Sequence, residues 1–418
     1  MQRKNISASA IGTLVEWAEF TFYGYLVVKF SHLFFPMLTP QLAILAGFAG
    51  FAVSYLARPL GSFIFGHIGD KKGRQKALAN SIFMMGIVTL GMGVLPTYDK
   101  IGLFAPIFLL ILRFLQGITV GGEYTGAAVF IIEHNAKNPY LSSSWVSTSA
   151  AAGMLVGGLA AAIISLPVMP EWAWRLPFLI GSCACLIGFY IRRQLSETAA
   201  YKKLLSVHGI VSVPIKVVLK NYKKPLLQTM AIGVFVAIFI YICNIWWITY
   251  VIKTGYFSEL TARTLATASQ GSVVVFTPLL ALLTQRWNGR DIMQIGLIGS
   301  LFVAPWLFFA SVHQSVYGVI AANLLYAISL SAVTATMFKY LADIFPTHIR
   351  YTGQAMGWSI GVAIFGGSAP LVAQILSSHH LGLTIAYVSL SGLIALWATS
   401  RQQTAVDSSA ELNIVPGD

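Results

Sequence analysis

Twelve runs of about 20 or more consecutive, mainly apolar residues divide this chain, and each is long enough to cross the hydrocarbon core of a bilayer as a helix. They lie near 8–34, 42–68, 77–96, 103–134, 143–167, 174–193, 225–252, 262–285, 292–311, 316–343, 353–377 and 382–400. A backbone in lipid must satisfy its own polar groups, so such a pattern leaves helices as the only reading. The composition agrees: 56% of the residues are hydrophobic and only 10% charged, against roughly 25% charged in soluble domains. The expected class is an all-α integral membrane protein of twelve transmembrane helices. No small-residue cleavage site follows a short apolar core at the start, so the first run reads as an uncleaved span.

The net charge of +13 is a topology signal and carries no expectation of nucleic-acid binding. Lysines and arginines gather in alternate loops, at Lys71, Lys72, Arg74 and Lys76, at Arg192 to Lys224, and at Arg286, Arg290 and Arg350. An even number of spans with both termini cytoplasmic follows from that bias. The expected segments are 1–193 (six spans), 194–224 (a cytoplasmic linker), 225–400 (six spans) and 401–418 (a short cytoplasmic tail). Two short helices are expected within the linker, Ala199 to Leu205 and Ile215 to Tyr222, the second a basic amphipathic helix. Cys183, Cys185 and Cys243 fall inside spans with no disulfide or zinc spacing, and His379-His380 lacks further ligands.

A faint internal repeat supports two pseudo-symmetric halves. Gly73-Arg74 follows span 2 and Gly289-Arg290 follows span 8; Glu133 ends span 4 and Asp343 ends span 10. Repeated six-span halves with a binding site between them are characteristic of secondary transporters.

Within these greasy segments sit ionised side chains, each costing roughly 2.5–3.5 kcal/mol at bilayer depth. Glu16 and Glu19 share a face of span 1, and Arg113, Gln116 and Glu123 share a face of span 4; Arg58 lies within span 2. Three carboxylates against two guanidinium groups leave one acid over, and a buried acid without a counter-charge can take up and release a proton near neutral pH. Glu19 or Glu123 is therefore the expected proton carrier, with Arg113, nearer in depth to Glu19, competing for its negative form. Arg58 and Arg113 are the candidates for gripping a substrate carboxylate. Gln116, Tyr23, Tyr241, Asn244, Trp247, Gln270 and Trp358 are expected to complete the pocket. Trp246 and Trp247 also suit an interfacial aromatic belt. Asp70, Arg74, Glu133, Arg286, Arg290, Asp343 and Arg350 lie at the inner ends of spans.

These residues also carry a family resemblance. Gly66-x-x-x-Asp70-x-x-Gly73-Arg74 resembles the loop signature of the major facilitator superfamily. Glu16-Trp17-x-Glu19-Phe20-x-x-Tyr23-Gly24, Arg58-Pro59-Leu60-Gly61, Arg113-x-x-Gln116-Gly117-x-x-x-Gly121-Gly122-Glu123-Tyr124 and Phe345-Pro346-Thr347-x-x-Arg350-Tyr351-Thr352-Gly353 resemble its metabolite:proton symporter family. That family includes importers of α-ketoglutarate, citrate, shikimate, and proline or betaine. Thr13, Glu19, Lys72 and the turn His134 to Tyr140 depart from its usual pattern. The resemblance implies a fold of two six-helix halves, alternating access, and a cytoplasmic charge network among the seven span-end residues. It also implies a monomer in a bacterial inner membrane that moves a small, carboxylate-bearing molecule with protons and no cofactor. An exporter exchanging cargo for protons is the alternative. No heptads follow span 12, which argues against the osmosensing role of family members with a coiled-coil tail. No arrangement in the sequence supports an enzyme.

Overall fold

The computed structural model describes residues 2–135, 137–207 and 213–400. The expected tail, 401–418, lies outside the described residues, as do residues 208–212 in the middle of the linker. Among the described residues there are helices and no strands.

Span 1 is Gln2–Tyr25, continued after a break by Val27–Phe34. Span 2 is Pro40–Lys72, span 3 Arg74–Val94, span 4 Phe104–His134, span 5 Pro139–Ile164 and span 6 Glu171–Arg193. Span 7 is Lys223–Lys253, span 8 Glu259–Leu283, span 9 Gly289–Val312, span 10 Val316–Asp343, span 11 Thr347–His379 and span 12 Leu381–Ser400. Eleven of these are long and apolar enough to cross a membrane. Span 1, whose hydropathy Glu16 and Glu19 lower, packs along spans 5 and 6 and is the twelfth. Ala199–Val207 and Pro214–Asn221 form short helices between the halves.

The pairings repeat. In the first half span 1 lies along span 5, span 3 along span 6, and span 2 against span 4; in the second, span 7 lies along span 11, span 9 along span 12, and span 8 against span 10. The halves meet where span 2 packs on span 11 and span 5 on span 8. All-α architecture in two six-helix halves is thus the observed fold.

Glycine sets the spacing between spans 2 and 4. A Cβ on Gly117 would fall on the Ser54 carbonyl, one on Gly121 on the Arg58 carbonyl, and one on Gly61 on the Ile118 carbonyl. Backbone meets backbone along this seam, as at small-residue interfaces in membranes. None of the three carbonyls can retreat without breaking its own helix. Gly121→Val is therefore expected to prevent stable assembly, with overpacking of about 3 kcal/mol or more. Loss of the monodisperse peak in detergent chromatography would register it.

Span 7 is irregular at its centre. Tyr241–Trp246 is a π-helical turn between Lys223–Ile240 and Trp247–Lys253. Such a turn widens the helix locally and rotates everything that follows. This has a direct consequence for the pocket.

Candidate functional site

The buried charges of the first half form two nests. In the first, Arg113 is fully buried. Its Nη1 donates to Gln116 Oε1 at 2.5 Å and its Nε to the Gly50 carbonyl at 3.3 Å. The Tyr23 ring lies beneath the guanidinium at 3.9 Å. Gln116 Nε2 in turn donates to Glu19 Oε2 at 3.3 Å, and Thr89 Oγ1 donates to the same oxygen at 2.6 Å. Arg113 therefore reaches Glu19 through an amide, with no direct ion pair between them.

In the second nest Glu123 pairs with Arg192 Nη2 at 2.5 Å and accepts from Ser81 Oγ at 2.6 Å. Gly12 makes room for this pair, since a Cβ there would meet both side chains. This overturns the charge count read from the sequence. In the sequence Arg192 reads as a loop charge because it lies one residue from the end of its span. Cα–Cβ bonds tilt toward a helix N-terminus, which for span 6 is toward the bundle centre, so Arg192 reaches inward to Glu123. The acids and arginines number three each, and Glu123 is not the odd carboxylate.

The count leaves no acid over, but Glu16 is the carboxylate with neither oxygen bonded. It is 2% exposed. Arg58, one span away, forms no ion pair with it. Its guanidinium lies over the rings of Tyr55 at 4.2 Å, Phe20 at 4.7 Å and Trp17 at 5.7 Å. Its Nε also lacks a hydrogen-bond partner.

A cavity of about 480 Å3 opens between spans 1, 5, 7 and 8 at the end away from the basic loops. Tyr25, Met154, Asn244, Gln270, Glu259 and Arg263 are among its lining residues. Glu259 and Arg263 pair at 2.8 Å at its exposed mouth. Met154 and Gln270 also border a narrow pocket of about 40 Å3, further in, walled by Trp17, Tyr124, Ser147 and Trp358. Tyr124 stands edge-on to Trp17 at 5.6 Å and to Phe338 at 4.9 Å, and lies tilted 5.5 Å from Trp358. That space admits only a few water molecules, and the ring contacts of Tyr124 with Phe338 and Trp358 join the halves around it.

Of the residues expected in the pocket, Asn244, Gln270 and Trp358 line these spaces. Tyr241 borders neither; its hydroxyl bonds that of Tyr55 across the half interface. Trp247 points away, fully buried, with its Nε1 donating to Ser311 Oγ of span 9 at 2.9 Å. A regular helix would have kept it near the face of Tyr241 and Asn244, and the π turn rotates it off. Trp246 is buried as well, against Phe308, so neither tryptophan forms part of an interfacial belt. Tyr23 donates to the Gly47 carbonyl at 3.1 Å beneath Arg113. Arg58, Arg113 and Gln116 lie behind the aromatic wall and line neither space. Arg263, Glu259, Trp17 and Tyr124 were missed. The first two lie at the very start of span 8, where no motif marks them, and the aromatic pair lies within motifs whose charges draw the attention.

At the basic end a charge network joins the halves. Asp70 pairs with Arg74 at 3.0 Å, and Glu133 is 3.4 Å from Arg74 and 3.2 Å from Arg350. Arg74 Nη2 donates to the Thr347 carbonyl at 2.5 Å. Asp70 accepts the backbone N–H groups of Thr352 at 2.8 Å and Tyr351 at 3.3 Å. Those are among the orphan donors at the start of span 11, so span 2 supplies the cap for a helix in the other half. Thr198 Oγ1 adds a bond to Glu133 Oε2 at 2.7 Å. Three expected members stand apart. Asp343 is half exposed and captured by Lys339 one turn before it. Arg290 donates to the Thr399 and Ser400 carbonyls, closing the end of span 12. Arg286 is exposed. The sequence repeat does not extend to these charge contacts. Among the described residues, no three His, Cys, Asp or Glu side chains are placed to hold a metal.

Residues 8–207 match the family model described as sugar (and other) transporter. The proline/betaine transporter of Escherichia coli K12 is 33% identical over 410 residues, covering 94% of this chain and 82% of the relative. The glycine betaine/proline/ectoine/pipecolic acid transporter OusA of Dickeya dadantii is 32% identical with the same coverage. Among solved structures, a double-tryptophan mutant of XylE superposes with a TM-score of 0.77 at 16% identity, covering 97% of both chains. The proton:xylose symporter XylE bound to a bromodeoxyglucose gives 0.72 at 15% identity, covering 96% of this chain and 94% of that one.

Proposed function

We infer the activity from one premise: this chain belongs to the major facilitator superfamily, in the metabolite symporter branch of the proline/betaine transporters. It is a multi-pass membrane transporter and not an enzyme. The finer reading is proton-coupled uptake of a small zwitterion across a bacterial inner membrane, with the basic end cytoplasmic.

The observation that carries this reading is the bare carboxylate of Glu16, whose chain neighbour Trp17 walls the narrow aromatic pocket. A buried carboxylate with no donor and no ion pair is tolerable as the neutral acid. It thereby serves as a proton carrier that the ligated Glu19 and the paired Glu123 do not replace. The charges lining the open cavity are Glu259 and Arg263, one of each sign. That favours a net-neutral cargo over a polyanion. Trp17, Tyr124 and Trp358 offer ring faces to a quaternary or secondary ammonium. The transporter names of the relatives point the same way.

With the network at the basic end closed and the cavity open at the other, the structure corresponds to an outward-facing state in this reading. A labelled panel in proteoliposomes tests it: glycine betaine, proline, α-ketoglutarate, citrate and shikimate, with and without an inward proton gradient. Betaine or proline is expected to accumulate only with the gradient. Entry at the same rate and to the same level after the gradient is collapsed would remove the proton-coupled reading, and selective uptake of citrate would remove the zwitterion.

A further inference from the structure

The Tyr55–Tyr241 contact is a cross-half hydrogen bond away from the charge network, and it lies at mid-depth. Tyr55 belongs to span 2 and Tyr241 opens the π turn of span 7. Both sit against the Gly366-Gly367 step of span 11, where a Cβ on Gly366 would lie 3.4 Å from the Tyr241 ring and one on Gly367 would lie 3.5 Å from Tyr55. Three helices from two halves therefore converge on one pair of phenols.

Tyr55 also does something within its own half. Its ring is the nearest of the three faces that hold the Arg58 guanidinium, one turn further along span 2. Another of those faces, Trp17, is the residue after Glu16, and a third, Phe20, is four residues on. Arg58 is thus parked against the same stretch of span 1 that carries the bare carboxylate, yet is not bonded to it.

We propose that Tyr55 is a positioning residue that couples the two halves to the proton site: its bond to Tyr241 holds the ring on which Arg58 is parked, and breaking that bond frees Arg58 to pair with Glu16 and displace its proton. The step balances simply. The carboxyl O–H of Glu16 is broken, its proton leaves to water in the opened pathway, and an Arg58–Glu16 ion pair forms in its place. The movement of the second half away from span 2 is what breaks the phenol pair, so proton release is tied to the conformational change that carries cargo. This inference rests on the symport reading above.

The other ionisable groups around Glu16 are Glu19 on its own span, Tyr124 and Glu123 on span 4, and Cys185 and Arg192 on span 6. Glu123 and Arg192 are committed to each other, and Glu19 to Thr89 and Gln116. Span 5 meets span 1 with Gly153 and Gly157. Arg58 is therefore the nearby cation without an anion of its own.

Two measurements test the proposal. The first needs no cargo. Infrared difference spectra of purified protein at neutral pH should show a protonated carboxyl band that Glu16→Gln removes. Tyr55→Leu, which takes away the parking face, should also lose that band, and Tyr55→Phe, which keeps the ring, should retain more of it. A full Glu16 band in folded Tyr55→Leu overturns the proposal. The second uses labelled glycine betaine and proline in proteoliposomes. Tyr55→Phe, Tyr241→Phe and the double variant should each lower the ratio of gradient-driven accumulation to equal-pH exchange by about tenfold, a usual size for a coupling between sites. The double variant should be no worse than either single one, because all three remove one bond. Wild-type ratios in all three would overturn the proposal while leaving symport intact. Absence of gradient-driven uptake in the wild type would instead remove the symport reading, and the infrared result would still decide the role of Tyr55. Should Tyr55→Leu fail to assemble, Tyr55→Phe and Tyr241→Phe carry the decision.

Discussion

Glu16→Gln is expected to leave a carrier that exchanges its cargo but no longer concentrates it. With one proton moving per cargo molecule, a gradient of one pH unit supplies about 1.4 kcal/mol, so the wild type should accumulate neutral cargo about tenfold. The amide cannot carry a proton in and release it, so the variant should equilibrate near onefold at every imposed gradient. It should still fold, because glutamine has nearly the shape of the protonated acid and Glu16 gives up no hydrogen bond in the change. The comparison variants separate this from simple damage. Glu123→Gln strips Arg192 of its counter-charge, and a buried pair broken on one side costs about 3–5 kcal/mol; its defect should appear first as a lower melting temperature. Glu19→Gln can still accept from Thr89 and should lose less accumulation than Glu16→Gln. Uptake of labelled betaine and proline at several pH gradients, with melting in detergent alongside, checks all three. If Glu16→Gln accumulates cargo tenfold, the carrier is elsewhere.

The sequence made the architecture readable because lipid leaves so few options. Length and apolarity place the spans, and alternate basic loops order them. The site was less readable, for reasons specific to particular residues. Arg192 sits at the edge of its span, and only the tilt of the Cα–Cβ bond on a helix running toward the basic end sends it to Glu123. Trp247 is expected in the pocket with Tyr241 and Asn244, but the segment that leads to it is π-helical, and nothing in Tyr241 to Trp246 announces the extra residue per turn. Asp343 occupies the position equivalent to Glu133 in the repeat. Lys339, one turn earlier, claims it, while His134 and the residues before Glu133 offer no such partner. Arg58 and Arg113 were read correctly as buried and were expected in the pocket; the rings that shield them, Tyr55, Phe20, Trp17 and Tyr23, were visible in the same motifs but their stacking was not.

Asp70→Ala is expected to shift the resting protein toward the state open at the basic end. The Asp70 carboxylate does three things at once: it holds Arg74, and it accepts two N–H groups at the start of span 11, where the helix dipole favours a negative charge. Bonds to a charged acceptor contribute about 1.5–3 kcal/mol each. The two that cross between the halves therefore favour the closed basic end by about 3 kcal/mol or more, roughly a hundredfold in population. Arg74 does not become an unpaired charge in the variant, because Glu133 remains 3.4 Å away and the Gly69 and Thr347 carbonyls still accept from it. Assembly should survive for that reason, while the balance of states moves. Asp70→Asn keeps one acceptor for the span 11 N–H groups and should fall between Ala and wild type. A cysteine placed at Ser359, whose hydroxyl bonds the Gly121 carbonyl across the halves at 3.0 Å, is shielded while the basic end is closed. Its labelling rate by a membrane-impermeant thiol reagent applied from the side of the basic loops should rise in the order wild type, Asp70→Asn, Asp70→Ala. Equal labelling in all three backgrounds would mean that the capping of span 11 by span 2 does not hold the halves together, and that the weight rests on Glu133 and Arg350.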